Sequence, residues 1–398
     1  MIEKKIYEVG GCVRDKLLGI NSNDIDLVAV GYNVFDFSHF ELIGKNFPVF
    51  LNDKKQELAL ARVEKKIQNG YNGFETKILN VTIEDDLKRR DLTINSIAYD
   101  VEKDIYIDPY DGQKDIQNKI LRHTSESFKE DPLRVLRLAR FQAKFPDFII
   151  ATQTKIFVKQ MREELKYLQA DRVYKEIQKV FELERLELFF ITLLELDVLD
   201  ILFPNIYKLS LCKENSIYHE EENVFVHTMM VLKELKKQSD LLKLTAIYHD
   251  IAKPLMYEKS NGQNAGEHDN IKFVRALIDI QLPNKLRKKM LFIIQNHLKI
   301  FNLHKMKDTK IARFFEGYKK DKKLFQDQLI FAKADSSGRI SKYKNKLNEK
   351  PLIKIFDKIL QYSPVNWIQN QDSQPSGEAI KQHIHRVNIR IIIEEKLT

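Results

Sequence analysis

GGCVRDKLLGINSNDIDLVAVG, residues 10–31, decides how the amino-terminal part of the chain is read. The preceding KIYEV reads as a strand, Gly10-Gly11 as the turn that closes it, CVRDKLLG as a short helix and DIDLVAVG as a second strand. Glycines between a strand and a helix let a phosphate approach backbone N–H groups where the helix dipole also favours an anion. Asp24 and Asp26 are two residues apart, so on a strand their carboxylates project from one face. Two such carboxylates together with phosphate oxygens form a shell suited to Mg²⁺. Taken singly, the glycines are a plain chain reversal and the aspartates two carboxylates at a sheet edge. Their proximity to each other and to Arg14 points to a phosphate and metal site.

Outward from this stretch, ELALARVEK and INSIAYD continue the alternation of short strands and helical pieces to about residue 110. From about residue 120 helical periodicity takes over, as in DPLRVLRLARFQAKF, ATQTKIFVKQMREEL, NVFVHTMMVLKELKK and LLKLTAIYHDIAK. The expected fold is α+β, a head with a small mixed sheet followed by a largely all-α remainder. Breaks at Pro204, residues 211–223 and residues 260–267 place domain edges near 120 and 208. The expected division is therefore 1–120, 121–208 and 209–398.

The chain has 398 residues, 43% of them hydrophobic, enough for two or three packed domains at about 150 residues each, which excludes wholesale disorder. Lys and Arg exceed Asp and Glu by a net charge of +9, which anticipates a polyanionic partner, nucleic acid first. Cys12 and Cys212 stand in no disulfide or metal spacing, so a reducing compartment, the cytoplasm, is expected. Neither a signal peptide nor an apolar span of membrane length is read in the sequence.

Two further motifs carry chemistry. In EDDLKRRDLTINS, Arg89 and Arg90 offer planar forks for phosphate, with Asp91 placed to orient them. In EDPLRVLRLARF, residues 130–141, Asp131-Pro132 starts a helix on which Arg134, Arg137 and Arg140 form a slowly rotating basic ridge while Leu133, Leu136 and Phe141 face the core. An acceptor at Asp131 beside a donor at Arg134 suits the reading of a base edge.

GGCVRDKLLGINSNDIDLV, RRDLTINS, DPYDGQKDI and EDPLRVLRLARF, in this order and spacing, closely resemble the bacterial CCA-adding enzymes, tRNA nucleotidyltransferases of the polymerase-β superfamily in the class shared by eubacteria and eukaryotes. The resemblance implies a polymerase-β-like head and template-independent addition of CCA to the tRNA 3′ end from CTP and ATP. By that resemblance Asp24 and Asp26 match the metal-binding catalytic carboxylates, and Gly11, Arg14, Arg90, Arg137 and Arg140 match nucleotide-contacting positions. Asp131 and Arg134 match the pair that reads the Watson–Crick edge. Residues 108–116 match a flexible motif that helps the head switch from CTP to ATP, and Glu64 is a further acidic candidate near the metals.

In the carboxy-terminal half, His227, His249-Asp250 and Asp335 resemble the ligand pattern of HD-domain phosphohydrolases. Imidazoles and carboxylates on neighbouring helices suit a transition metal that activates water on phosphate esters. Packed helical residues are the other reading, and the surroundings depart from active relatives: Ala252 replaces a glycine, the following loop keeps only His268, and His297 is followed by leucine. The competing functions are a bacterial poly(A) polymerase, which usually carries a strongly basic tail, an HD phosphodiesterase with an accessory head, and a nucleic-acid-binding protein with an inactive head.

Overall fold

The computed structural model of the chain describes residues 2–21, 24–43, 48–66, 74–78, 80–213, 222–340 and 347–395. Two compact units follow one another, Met1–Leu202 and Phe203–Thr398.

The strands of the first unit are β1 (Lys5–Val9), β2 (Asp26–Val30), β3 (Glu41–Leu42), β4 (Val49–Leu51), β5 (Glu57–Leu60), β6 (Val63–Lys66), β7 (Phe74–Lys77), β8 (Ala98–Asp100) and β9 (Ile105–Ile107), with a short parallel pair, β10 (Ile120–Leu121) and β11 (Ile149–Ile150), after them. Seven of them form one sheet in the order β3-β4-β5-β2-β1-β8-β9, while β6 and β7 pair separately. The sheet is mixed: β1 runs antiparallel to β2 and β8, and β2 runs parallel to β5. Strand alternation sends Val28 and Val30 into a cluster with Ile83 and Leu87, and Ala29 into a second cluster with Phe37, Phe50 and Leu58. Both faces of β2 are thus packed, which leaves its start, at Asp26, as the end that can present polar groups. ELALARVEK divides at Ala61-Arg62 into β5 and β6 instead of running as one strand.

The helices of this unit are α1 (Gly11–Leu17), α2 (Ile83–Lys88), α3 (Gly112–Gln117), α4 (Leu133–Lys144), α5 (Thr152–Gln160), α6 (Ala170–Phe181), α7 (Glu187–Glu195) and α8 (Leu199–Leu202). Leu133, Leu136 and Phe141 of α4 are buried as the periodicity requires, and α4 packs against α6 and α7. Residues 108–116 are firmly tied. Asp108 accepts the N–H groups of Gly112 at 2.7 Å and Gln113 at 2.8 Å, and a Cβ on Gly112 would lie 2.3 Å from the carbonyl oxygen of Thr93.

The second unit is helical: α9 (Pro204–Leu211), α10 (Val224–Glu234), α11 (Asp240–Tyr248), α12 (Lys253–Lys259), α13 (Ile271–Ala276), α14 (Asn284–Asn296), α15 (Asp308–Tyr318), α16 (Lys322–Ser337), α17 (Glu349–Gln361), α18 (Val365–Gln369) and α19 (Gly377–Glu395). The start of α9 is capped from outside its own helix. The Asp279 carboxylate accepts the backbone N–H groups of Asn205 at 3.1 Å and Ile206 at 3.2 Å, and the Asn205 side-chain amide at 2.8 Å. Burial nevertheless pushes its carboxyl up to about 6. A carboxyl raised on folding contributes stability that is present in full below its unfolded value, about 3.9, and is lost as pH rises through about 6. Asp279→Asn is therefore expected to flatten the fall in stability between pH 4 and 6, read as the denaturation midpoint at each pH. A wild-type and a variant curve that stay parallel across that window would count against the assignment.

Candidate active site and a second ligand cluster

An open cleft of about 780 Å³ in the first unit is lined by β1, β2, β5, α4 and α6. Its floor begins where β1 turns into α1. Gly10 has φ +75°, a conformation that favours glycine, and a Cβ there would sit 2.9 Å from Nη1 of Arg90 and displace that guanidinium. Gly11 opens α1 and lines the cleft; a Cβ on it would meet only Arg14 Nη2, at 3.6 Å. The pairing of Val9 with Asp26 and of Asp26 with Glu57 sets Asp26 beside the glycine turn, between a strand end and a further carboxylate. Asp24 precedes β2 and is exposed. Burial, and then the neighbouring Asp24 charge, push the Asp26 carboxyl above its ordinary value, against the pull of Arg90 and Arg14. Two carboxylates that repel each other at the mouth of a cleft are a fitting cradle for a divalent cation.

Ten basic and five acidic side chains line the cleft, an excess suited to a triphosphate or an RNA backbone. Most of the arginines are held by identifiable partners. Asp86, fully buried, accepts Nε and Nη2 of both Arg89 and Arg90 at 2.6–3.2 Å. Asp91 turns the other way, accepting Nε of Arg137 at 2.7 Å and the amide of Asn95 at 3.0 Å. Burial alone would raise the Asp91 carboxyl, but Arg137, Asn95 and Arg134 hold it well below the usual carboxylate range. Asn95 in turn accepts Nη1 of Arg14 at 2.5 Å, and the Arg14 guanidinium lies over the rings of Phe141 and Phe145. Arg140 is fixed by Glu176 at 2.8 Å.

The structure thus brings Gly11, Arg14, Asp24, Asp26, Arg90, Asp131, Arg134, Arg137 and Arg140 to one cleft. It corrects two details. The residue that orients Arg90 is Asp86 and not Asp91, because α2 places Asp86 one helical turn before Arg90 while Asp91 reaches α4. Asp131 and Arg134 also have separate side-chain partners: Arg134 donates to the carbonyl oxygens of Ser127 and Arg89, both at 2.5 Å, and Asp131 binds Arg172 of α6, while the Arg134 backbone N–H donates to the Asp131 carbonyl oxygen at 3.0 Å. Glu57, Asp86, Arg172 and Glu176 were not singled out by the sequence, although Arg172, Glu176 and Lys179 recur at helical spacing beside the apolar stripe Ile177, Val180 and Phe181. The side chain of Glu64 lies outside the described residues.

In the second unit α10, α11 and α16 bring His227, His249, Asp250 and Asp335 together with almost no exposure. Nε2 of His227 and of His249 are 3.3 Å apart; Asp335 Oδ1 is 3.2 Å from the former and Asp250 Oδ2 is 3.1 Å from the latter. The other oxygen of Asp250, Oδ1, faces His268 at 3.2 Å and His297 at 4.0 Å. Two three-residue groups suited to a metal ion therefore share Asp250: His227, His249 and Asp250, and Asp250, His268 and His297. Burial, reinforced by His268, pushes His297 down to about 3, leaving its imidazole neutral with a lone pair to give. Asp335 Oδ2 is buried with no hydrogen-bond partner, as expected of an atom whose partner is a metal ion. The ring nitrogens Nδ1 of His249, His268 and His297 each lie 2.6–2.8 Å from a backbone carbonyl oxygen, which turns Nε2 inward. Ala252 has φ −91° and ψ −3°, ordinary right-handed values, so the glycine it replaces is not required by the backbone here.

Two family models match the chain, a poly A polymerase head domain over residues 6–122 and a probable RNA and SrmB-binding site of polymerase A over residues 147–209. The multifunctional CCA protein of Vibrio campbellii is 39% identical over 84% of this chain and 86% of its own length. That of Legionella pneumophila subsp. pneumophila is 35% identical over 98% of this chain and 97% of its own. Among solved structures, a CCA-adding enzyme in complex with ATP superposes with a TM-score of 0.65 at 22% identity over 99% of this chain and 88% of that one. The Thermotoga maritima CCA-adding enzyme complexed with tRNA gives 0.62 at 21% over 98% and 90%, and these two likenesses speak to the fold.

Proposed function

Because the chain belongs to the multifunctional CCA proteins, we propose that the cleft of its first unit is where the 3′-terminal CCA of tRNA is built from CTP and ATP without a nucleic-acid template. The observation that carries this is one cleft holding the Asp24–Asp26 pair, a ring of arginines and, beyond them, Asp131. The tRNA 3′ hydroxyl attacks the α-phosphorus, the bond to the β-phosphate oxygen breaks, and pyrophosphate leaves with the negative charge. The family depends on a divalent metal. Asp24 and Asp26 would hold it, Mg²⁺ suits their oxygens, and when bound it neutralises charge at the attacking and leaving oxygens. Arg14, Arg90, Arg137 and Arg140 bind the triphosphate and ribose side, already oriented by Asn95, Asp86, Asp91 and Glu176, so little reorganisation opposes the reaction.

Cytosine and adenine share an exocyclic amino donor on the edge where uracil and guanine carry a carbonyl acceptor. The Asp131 carboxylate, which only accepts, favours the first pair; Arg134, which only donates, lies three residues on. Replacing either with Ala is expected to raise UTP and GTP incorporation relative to CTP and ATP by roughly tenfold to a hundredfold, a loss of about 1–3 kcal/mol of discrimination. Competition assays with radiolabelled nucleotides measure this, and an unchanged preference in both variants would remove Asp131 and Arg134 from base selection.

We assign residues 1–120 to the nucleotidyl-transfer head, 121–208 to a helical neck bearing the selecting helix, and 209–398 to an HD-like, tRNA-binding body. The site of action is the cytoplasm, and among the described residues no helix is long and apolar enough to cross a membrane. A second activity, hydrolysis of phosphate esters, is favoured by the shared-carboxylate cluster around Asp250 and the orphaned Asp335 Oδ2. Its imidazole nitrogens suit a transition metal, which when bound would activate water.

A further inference from the structure

We propose that Arg172 is a specificity-determining positioning residue, the group that fixes the Asp131 carboxylate in its base-reading orientation. This rests on the assignment of Asp131 to base selection.

Asp131 lies just ahead of α4, outside the helix, with φ −121° and ψ 105°, so its backbone alone does not lock the side chain. Two contacts do. Oδ1 accepts the N–H of Leu133 at 3.0 Å, which ties the carboxylate to the first turn of α4. Nη1 and Nη2 of Arg172 then reach Oδ1 at 3.3 Å and Oδ2 at 2.9 Å, a fork that sets the plane of the carboxylate as well as its position. Both partners are about one-fifth exposed, 21% and 23%, so the pair is open on one side to a ligand in the cleft that both line. An ionised carboxylate offers about four lone-pair sites, and these contacts leave acceptor capacity for an amino group on a base.

The helix that carries Arg172 is itself anchored to the selecting helix. Ile177, Val180 and Phe181 of α6 are buried, and one turn after Arg172 the buried Glu176 binds Nε of Arg140 at 2.8 Å and Nζ of Lys179 at 3.1 Å. Arg172 and Glu176 therefore grip two points on the nucleotide-facing side, Asp131 just ahead of α4 and Arg140 in its second half. A donor placed on so fixed a frame holds the acceptor to the few tenths of an ångström that discrimination needs. Without Arg172 the Asp131 carboxylate keeps the Leu133 tether at one oxygen and is free to rotate toward the other cations of the cleft, and its charge loses a guanidinium neighbour. The attacking and leaving groups, at Asp24 and Asp26, are untouched by that change.

The expected result for Arg172→Ala is a fall of about tenfold in the preference for CTP over UTP and for ATP over GTP, carried by a raised KM for CTP and ATP with kcat within about threefold of wild type. Arg172→Lys keeps the charge but not the fork, and is expected to recover part of the preference. Each preference is a ratio within one preparation, so partial loss of folded protein cancels from it. The double variant Asp131→Ala, Arg172→Ala should discriminate no worse than Asp131→Ala alone, because Arg172 acts through Asp131. If Arg172 instead contacts RNA phosphate, its loss raises the KM for tRNA, lowers the salt dependence of tRNA binding and adds fully to Asp131→Ala; that outcome overturns the proposal. If Asp131→Ala itself leaves nucleotide preference unchanged, the base-selection reading fails with it. A relaxed Asp131→Ala beside a fully selective Arg172→Ala defeats the role of Arg172 alone.

Discussion

Asp26→Ala is expected to abolish addition of both C and A, lowering kcat for each by roughly a thousandfold or more, the scale of losing a group that stabilises developing charge in the transition state. The two nucleotides should fail together, because Asp26 sits at the start of β2 beside the glycine turn, whereas the base-reading groups belong to α4 and its approach. The same substitution should leave the melting temperature unchanged or slightly higher. Burial and the Asp24 charge already oppose ionisation of Asp26, so its removal relieves a repulsion that the fold tolerates for function. Single-turnover addition of CTP to a tRNA lacking CCA, and of ATP to one ending in CC, measures the first effect; a melting curve measures the second. Near-native rates in Asp26→Ala would move catalysis away from this pair, and a large fall in melting temperature would make Asp26 a structural residue.

Asp250→Ala is expected to empty the metal cluster of the second unit and to remove hydrolysis of a 2′,3′-cyclic nucleotide to its ring-opened phosphomonoester, while CCA addition stays within about twofold of wild type. One side chain has so large an effect because its two oxygens serve the two halves of the cluster, Oδ2 toward His249 and Oδ1 toward His268. Burial works against the charge of Asp250, yet His249 and Lys253 keep its carboxyl well below the usual range, so it is an anion at neutral pH. Breaking such a buried arrangement costs about 3–5 kcal/mol, so Asp250→Asn, which keeps the volume, is the companion variant. Metal content by mass spectrometry after loading with Ni²⁺, Co²⁺ or Mn²⁺ reads the cluster independently of activity. Wild-type protein that retains none of these ions would return the histidines to the packed core, and an Asp250→Asn variant that retains them as well as wild type would remove Asp250 from its place as the shared ligand.

How much of this was legible in the sequence depends on the range of the interaction. Arg134 with Arg137 and Arg140 are set by the helix period, so a few residues of sequence suffice to find them; Asp24 and Asp26 are legible from their two-residue spacing, although β2 begins only at Asp26 and Asp24 stands ahead of it. The head sheet and the helical remainder come from the same periodicities. The groups that orient those residues were not legible. Asp86 looked like one member of an acidic run, and only the burial of α2 shows that it holds two arginines. Arg172 and Glu176 act across 41 and 36 residues of chain, on partners that only tertiary packing brings near. The same holds for His268 and His297. Judged by their neighbours in the sequence they look like remnants of a lost motif, yet the loop after α12 and the end of α14 deliver both to the free side of Asp250.

The most direct test of the central claim is to incubate the purified protein and Mg²⁺ with tRNA transcripts ending at the discriminator base, at C or at CC, and to supply CTP and ATP separately and together. CTP alone should extend the first substrate by two residues and stop, ATP alone should extend only the transcript ending in CC, and both together should stop at CCA. A long ladder of A residues on any RNA, or no addition to any of the three, would contradict the account.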